Sequence, residues 1–309
     1  MSPFAADEID RQLPSGDEIF FDHLGHFVRD PDAASRALAR AGFAPTPASI
    51  QVNSDPAGGI SPTGTGNITA MFSRGYIEVL FKTSDTTLGR EFDAALARHA
   101  GLHLAAFAVA DAQKAHRRLA TSGFRVRELL RMQRPVETEA GAATAAFTIA
   151  RVEPDVMPEG RIQMLTHHTE QAVWQKRWLT HRNSAIGLID VVIAVADVEQ
   201  AAQRFARFTD RASISTPHEA MLRLDRGGVL LVSHDALTEI LPEVAVPTLP
   251  FIAGYAVGVQ SLAAAETAVA NADLDWRAFE EGIVASFPAE LGEGAWFFVE
   301  RASALPWRR

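Results

Sequence analysis

The chain alternates between short segments rich in β-branched and aromatic residues and segments whose apolar positions have helical spacing. The first strand-like segment ends at Asp30, a residue type that caps helix N-termini. Pro31 follows at the favoured first helical position, and apolar residues at i, i+4 and i+7 predict a helix over 31–41. Gly42 and Phe43 then have the residue types of a helix C-cap and its apolar anchor.

This strand–helix pattern occurs four times along the chain. The second copy has its cap at Asp111 and repeats a Leu eight residues later and the Gly-Phe pair twelve and thirteen residues later. A third copy has its cap at Asp197, and a fourth, weaker copy at Ser261. Each copy closes with an apolar strand-like segment led by a glycine, namely Gly75, Gly160, Gly228 and Gly294. The chain between helix and closing segment has room for two more strands, so each unit is predicted to be β-α-β-β-β.

The repeat predicts an α+β fold of four βαβββ modules. One four-stranded sheet covered by one helix cannot bury both of its faces. We therefore expect the modules to pair into two curled mixed-sheet domains with the helices on the outside. The N-terminal pair is predicted over 17–173 and the C-terminal pair over 185–304.

Composition excludes several classes of protein. The 309 residues are 47% hydrophobic and 22% charged, which is typical of a globular protein. A formal charge of −9 without a basic cluster argues against nucleic acid as a partner. The absence of cysteine excludes disulfides, thiolate metal sites and cysteine nucleophiles. The acidic segment 1–20 lacks the features of a signal peptide, and no apolar run is long enough to span a membrane, so we expect a cytoplasmic protein without a membrane partner.

These features resemble the vicinal oxygen chelate superfamily, which includes glyoxalase I, extradiol dioxygenases and fosfomycin-resistance proteins. The resemblance lies in the paired modules, the opening segment 22–30 and the closing segment 75–78. Segments 66–72 and 167–183 resemble more narrowly the branch of glyoxalase-like domain proteins. The resemblance implies a sheet curled into a cup, in which the first and last strands of the N-terminal modules hold one divalent metal ion.

Three candidate ligands follow from this resemblance. His23 lies seven residues before Asp30, where the family pattern has its first ligand. Glu78 lies in an otherwise apolar strand, where a carboxylate without a partner is expensive, so we predict it to be a ligand or a catalytic carboxylate. Gln163 matches Glu78 in the second module and is a neutral oxygen donor. Nitrogen and oxygen donors suit Zn, Ni, Fe, Mn or Co, and the sequence does not choose among them.

Two histidines of the second module are less regular candidates. His103 lies eight residues before Asp111, whereas Leu104 has the offset of seven. A one-residue shift turns a strand side chain to the opposite face, and a β-bulge would restore His103 as a further ligand. His167 shares the strand parity of Gln163 and is predicted to be a base or a fifth ligand; the alternative is a polar end of the strand.

The C-terminal pair has Asp190, Leu231, Gly254 and Phe297 at the corresponding four positions, and three of these cannot bind a metal. Extradiol dioxygenases resemble the chain in their four modules but carry two His and one Glu in the C-terminal pair. This difference argues against ring cleavage. The C-terminal pair is therefore predicted to be a scaffold or a wall of the substrate site.

Two classes of function remain. The first is a metal-dependent enzyme of the lyase or isomerase type, with a dioxygenase second, that stabilises an enediolate or enolate of a small oxygenated substrate. Glu78 or His167 would move the proton. The second class is a metal-free protein that sequesters a small molecule, as resistance proteins of the superfamily do. The sequence leaves open the substrate and whether the protein forms a homodimer.

Overall fold

The structure is a computed structural model that describes residues 11–54 and 59–308. The first ten residues of the acidic segment 1–20 lie outside the described residues. The N-terminal half contains β1 (Ile19–Phe27), α1 (Pro31–Arg40), β2 (Ser49–Ser54), β3 (Ile60–Met71), β4 (Tyr76–Lys82), α2 (Thr87–Arg98), β5 (Gly101–Val109), α3 (Ala112–Thr121), β6 (Leu130–Thr138), β7 (Gly141–Arg151), β8 (Arg161–His167) and α4 (Glu170–Val173).

The C-terminal half contains β9 (Ala185–Ala194), α5 (Val198–Thr209), β10 (Ser213–Ser215), β11 (Glu219–Arg223), β12 (Gly228–Val232), α6 (His234–Ile240), β13 (Phe251–Val259), α7 (Leu262–Asn271), β14 (Trp276–Phe279), β15 (Gly282–Ser286) and β16 (Ala295–Val299). The predicted order of one strand, one helix and three strands is confirmed in all four modules. Helices α2 and α6, which connect the modules of each pair, were not predicted. Within the described residues, no helix has both the length and the apolar content needed to cross a membrane.

The helices begin where the sequence pattern predicts. In each module the side chain before the helix accepts a hydrogen bond from a first-turn backbone N–H, and these caps are Asp30, Asp111, Asp197 and Ser261. Gly42 follows α1 with a left-handed φ of 87°. The third module lacks this glycine, and Asp210 takes the left-handed conformation there with a φ of 57°. The helix of the third module therefore ends in the same left-handed conformation, although the residue type differs.

The eight strands of the N-terminal half form a closed barrel in the order β1-β4-β3-β2-β6-β7-β8-β5. The C-terminal half forms an eight-stranded sheet in the order β10-β11-β12-β9-β13-β16-β15-β14. The predicted α+β class with two curled sheets is confirmed, and the first sheet closes on itself. One hydrophobic core includes buried residues of both sheets, so the limits 17–173 and 185–304 stay a prediction.

Strand alternation separates the core from the barrel interior. Ile162 and Met164 of β8 belong to the core that the sheets share with the helices, whereas Gln163 and Leu165 line the interior. The halves also meet through a buried hydrogen bond, because His26 Nε2 lies 3.1 Å from the hydroxyl oxygen of Tyr255.

The C-terminal tail covers the position in the third module that corresponds to His23. Asp190 is fully buried there, and Arg308 donates to it through Nη2 at 2.6 Å and Nε at 2.7 Å. Trp307 Nε1 donates to the same carboxylate at 2.8 Å, and its ring lies edge-on to Phe297 at 4.9 Å. An internal ion pair therefore takes the place of a ligand site in this half.

Truncation of Arg308 should destabilise the protein, because it leaves a buried carboxylate without its charge partner. For Arg308→Ala we expect the free energy of unfolding to fall by about 3–5 kcal/mol, measured by denaturant unfolding. Arg308→Lys keeps the charge and should lose less. Adding Asp190→Asn to Arg308→Ala should recover part of the loss, and wild-type stability in Arg308→Ala would contradict the role of this pair.

The buried His26 should make stability depend on pH. Burial lowers its pKa from 6.5 to about 4, although the hydrogen bond to the Leu291 carbonyl works in the opposite direction. Between pH 4 and pH 6.5, His26 binds a proton in the unfolded chain but not in the folded chain. The contribution of His26 is therefore complete above its unfolded pKa and is lost as the pH falls towards 4.

We expect the unfolding free energy of the wild type to fall more steeply from pH 6.5 to 4 than that of His26→Gln. The difference in unfolding free energy between the wild type and His26→Gln should change by about 3 kcal/mol over this pH range. Denaturant unfolding at several pH values measures it. The exposed His218 supplies the matched control, and His218→Gln should keep the wild-type slope. Parallel curves for wild type and His26→Gln would refute the assignment.

Candidate active site

The interior of the barrel holds a cavity, here called the cup, that is lined by side chains from all eight strands. Its empty volume is ≈ 520 Å³ when the mouth is included, and ≈ 40 Å³ is open to the centre of a water-sized molecule. The volume of ≈ 40 Å³ corresponds to about three water molecules. The cup as it stands is therefore narrow and suits a small ligand.

His23 and Glu78 lie next to each other in the cup. Strands β1 and β4 pair in parallel, with His23 opposite Tyr76 and Gly25 opposite Glu78, so the imidazole and the carboxylate project from the same face. The distance from His23 Nε2 to Glu78 Oε2 is 3.7 Å. Both side chains are buried. The structure brings these two predicted residues together.

Two amides hold the Glu78 carboxylate from the other side. Its Oε1 accepts a hydrogen bond from Asn67 Nδ2 at 2.6 Å and another from Gln51 Nε2 at 3.2 Å. The other oxygen, Oε2, is left towards His23. The amide oxygen of Asn67 is buried and has no hydrogen-bond partner within the described residues. The cup therefore contains an amide oxygen that accepts no hydrogen bond from the described residues and lies beside Glu78.

A buried aspartate sets the orientation of His23. The register of β1 against β5 shifts between Phe21 and His23, which makes Asp22 part of a β-bulge. Asp22 Oδ2 lies 2.7 Å from His23 Nδ1, and both of its oxygens lie 3.1 Å from His167 Nε2.

Asp22 is the charged partner of both imidazoles. Burial alone raises its pKa, but attraction to His167 and hydrogen bonds from His167 and His23 outweigh this and hold the pKa below its usual range. An ionised carboxylate can only accept hydrogen bonds, so His23 must donate through Nδ1. In an imidazole whose one proton is on Nδ1, the lone pair of Nε2 faces the cup.

The structure places His167 behind His23. Its ring is buried among aromatic rings, with centroid distances of 6.4 Å to Tyr76, 5.1 Å to Phe147 and 4.6 Å to Trp174. Within the described residues its Nδ1 has no hydrogen-bond partner. His167 does not line the cup; it is connected to the cup through Asp22 and through the rings of Tyr76 and Phe147.

The structure does not bring His103 to the other candidates. The predicted bulge exists, because Gly25 pairs with Leu104 whereas His26 pairs with Leu102. The bulge nevertheless leaves Leu104 in the cup and His103 in a second cavity. There the His103 ring stacks on His99 at 4.0 Å, and its Nε2 donates to the His99 carbonyl at 2.8 Å. Burial lowers the pKa of His103 to about 3.

Gln163 lines the cup as predicted from its parity, but its amide oxygen is already engaged. Arg151 Nε donates to Gln163 Oε1 at 3.0 Å. Arg134 and Arg161 also line the cup. Burial lowers the pKa of all three arginines, and for Arg151 burial and the neighbouring charge of Arg161 lower it to about 9. The cup therefore has a cationic side that the sequence analysis did not predict.

Sequence reasoning missed several polar residues that line the cup, namely Gln51, Asn67, Tyr76, Arg134, Arg151 and Arg161. For β3 a signal was present, because Thr65, Asn67 and Thr69 alternate with the apolar Ile68 and Ala70. All five are buried, so the polar positions face the barrel interior and the apolar ones the core. Alternation alone would not have shown that both faces are buried.

The donors in the cup fit a divalent ion. They are His23 Nε2, Glu78 Oε2 and the amide oxygens of Asn67 and Gln163, a nitrogen and oxygen set that suits Mn, Fe, Co, Ni or Zn. The orphaned oxygen of Asn67 is an atom that a cation would satisfy. Within residues 11–54 and 59–308, no group of three or more His, Asp or Glu side chains is placed to hold a metal. Any ion therefore depends on amide oxygens.

Solved structures share this architecture. A hypothetical protein from Staphylococcus aureus has a TM-score of 0.62 at 10% identity, covering 91% of this chain and 98% of that one. A mutant of 4-hydroxymandelate synthase from Streptomyces coelicolor has a TM-score of 0.55 at 13% identity, covering 92% and 94%. A Mn(II)-bound glyoxalase from Novosphingobium aromaticivorans has a TM-score of 0.53 at 12% identity, covering 91% and 81%. At these identities the likeness shows the fold alone.

Sequence comparison identifies the family. No curated protein matches the chain significantly. A family model described as a glyoxalase-like domain matches residues 21–209, which include the whole cup and extend through α5. The match and the paired βαβββ modules agree with the resemblance seen in the sequence. The chain belongs to the glyoxalase-like domain family of the vicinal oxygen chelate superfamily.

Proposed function

We propose that the protein is a metal-dependent enzyme of the lyase or isomerase type that acts on a small oxygenated substrate in the cup. The observation that carries this proposal is the pair of His23 Nε2 and Glu78 Oε2, 3.7 Å apart and facing one narrow cavity. Asp22 supports it, because a buried carboxylate behind a histidine is the usual partner of a metal-binding imidazole.

One divalent ion would be held by His23, Glu78 and the amide oxygen of Gln163, with Asn67 beside them. Such an ion polarises a substrate carbonyl and stabilises the negative charge of an enediolate or enolate. His103 is not part of this proposed set, because its ring lies in the second cavity. The identity of the ion among Zn, Ni, Fe, Mn and Co stays open.

Glu78 is proposed to move the proton. Within the described residues it is the one carboxylate that lines the cup, and its Oε2 has no amide donor. It would take a proton from the carbon next to a carbonyl and return it to a neighbouring atom. Asn67 and Gln51 hold the carboxylate in place during this transfer.

Tyr76 and His167 are proposed to act around this pair. Burial and the charges of Asp22 and Glu78 raise the pKa of Tyr76 well above 10, so its phenol stays neutral. Its ring stacks on His23 with centroids 4.4 Å apart and limits the rotation of the imidazole. His167 holds Asp22 and through it His23, so we assign it a positioning role in the proposal.

A metal-free binding protein is the second candidate. The observations that favour it are Leu104, which offers no donor at the position corresponding to His23, and Gln163, whose oxygen accepts from Arg151. In that case the same cup would sequester a small molecule without converting it.

Metal analysis separates the two candidates. For full-length protein purified without chelators, we expect about one ion per chain by elemental analysis. His23→Ala and Glu78→Ala should each lose it, because each removes a strong donor. His103→Ala is the matched control and should retain the ion. Wild-type protein that binds neither Mn nor Zn on titration would favour the metal-free binder.

The role of Asp22 can be tested with the same assay. Asp22→Asn removes the charge that fixes the His23 proton on Nδ1, and we expect the affinity for the ion to fall about 10–100-fold. Asp190→Asn removes a buried charge in the other sheet and should leave the affinity unchanged. Equal affinities for Asp22→Asn and wild type would show that the imidazole is oriented by other contacts.

A further inference from the structure

The arginines on the cationic side of the cup have no direct salt-bridge partner among the described residues. Arg134, Arg151 and Arg161 line the cavity, and within the described residues none of them forms a salt bridge with an acidic side chain. Among residues 11–54 and 59–308, Arg134 has no side-chain hydrogen-bond partner, and the bond of Arg151 is to the neutral amide of Gln163.

Burial makes this arrangement costly. Arg134 is 8% exposed and Arg151 is 9% exposed. Removing an ion from water without a partner carries a large desolvation penalty. Glu78 attracts all three arginines but forms no salt bridge with them, since one of its oxygens accepts from two amides and the other faces His23. One carboxylate also cannot balance three guanidinium groups.

The barrel places Arg134 and Arg151 opposite His23 and Glu78. In the closed order of eight strands, β6 lies four strands from β1, and β7 lies four strands from β4. Arg134 on β6 and Arg151 on β7 therefore belong to the wall facing His23 and Glu78. A ligand that contacts both walls spans the cup.

The arginines outside the cup are different. The second cavity is larger, with ≈ 440 Å³ open to water-sized molecules, and it is also lined by Arg151 and Arg161. Its own Arg127 is neutralised, because it lies 2.6 Å from Glu91 and 3.4 Å from Glu153. Glu91 also attracts Arg151 and Arg161, but this one carboxylate is already paired with Arg127 and does not neutralise the arginines of the cup.

We propose that the cup binds the oxyanion of a small acid, a carboxylate or a phosphate, between Arg134 and Arg151. The planar fork of a guanidinium group matches both kinds of anion, and a bound anion would supply the missing counter-charge. The rest of the ligand would then point to His23 and Glu78. This names the substrate class of the proposed enzyme and rests on that proposal for turnover, whereas anion binding itself does not require the metal.

The test is calorimetric titration of full-length, chelator-treated protein with sodium malonate and, separately, with inorganic phosphate at constant ionic strength. We expect one site per chain, and the tighter of the two anions identifies the source of the oxyanion. Arg134→Met and Arg151→Met should each lower the affinity about tenfold or more. Arg36→Met, at an exposed position of α1, is the matched control and should bind like the wild type.

Stability separates a binding role from a structural one. Removal of a buried unpaired charge should leave Arg134→Met as stable as the wild type or more stable, measured by thermal unfolding without ligand. Loss of binding at unchanged stability supports the proposal. The proposal is overturned if wild type binds neither anion, or if both arginine variants bind as well as wild type.

The metal-free conditions keep this result apart from the proposed chemistry. His23→Ala should still bind malonate or phosphate in chelator-treated protein, because its side chain is on the opposite wall. Anion binding in a protein that never binds a metal ion would leave this inference standing and refute the metal-dependent enzyme. Metal binding without anion binding would do the reverse.

Discussion

The parallel pairing of β1 with β4 inside a closed barrel is the constraint on which the candidate site depends. It fixes His23 and Glu78 on the interior face, and their side chains then have one cavity in which to meet. The bulge at Asp22 adds a second constraint, because it turns a carboxylate towards the back of the His23 ring. A slip of one residue in this pairing would place His23 and Glu78 on opposite faces of the sheet.

The βαβββ module has different side chains at its ligand positions in the two halves of the chain. In the N-terminal barrel the concave face is polar and open, with an imidazole, a carboxylate and arginines around a narrow space. In the C-terminal sheet Asp190 is covered by the tail, and an apolar cluster fills the space beside it. A repeat therefore predicts architecture better than it predicts chemistry, because the ligand positions can change without loss of the backbone pattern.

The two walls of the cup carry different polar and charged groups. His23 and Glu78 lie on β1 and β4, and Arg134 and Arg151 lie across the barrel on β6 and β7. A small acid with an additional oxygen function would meet guanidinium groups at one end and the imidazole and carboxylate at the other. Such polarity orients a ligand before any chemistry takes place.

The repeat by itself determined the fold class, the order of elements and the helix caps, because these depend on local propensity and on equivalent offsets in each module. The family resemblance predicted that His23 and Glu78 would meet, and the parallel pairing of β1 with β4 brings them together. Only the tertiary structure decided the direction of the His103 ring, since the bulge was foreseeable but the packing of His99 against it was not. The sequence did not predict the arginine-lined wall of the cup, for a similar reason. Arg134 and Arg151 have the pattern of ordinary solvent-facing positions until barrel closure makes the inner faces of β6 and β7 a buried interior, and closure depends on contacts between residues far apart in the chain.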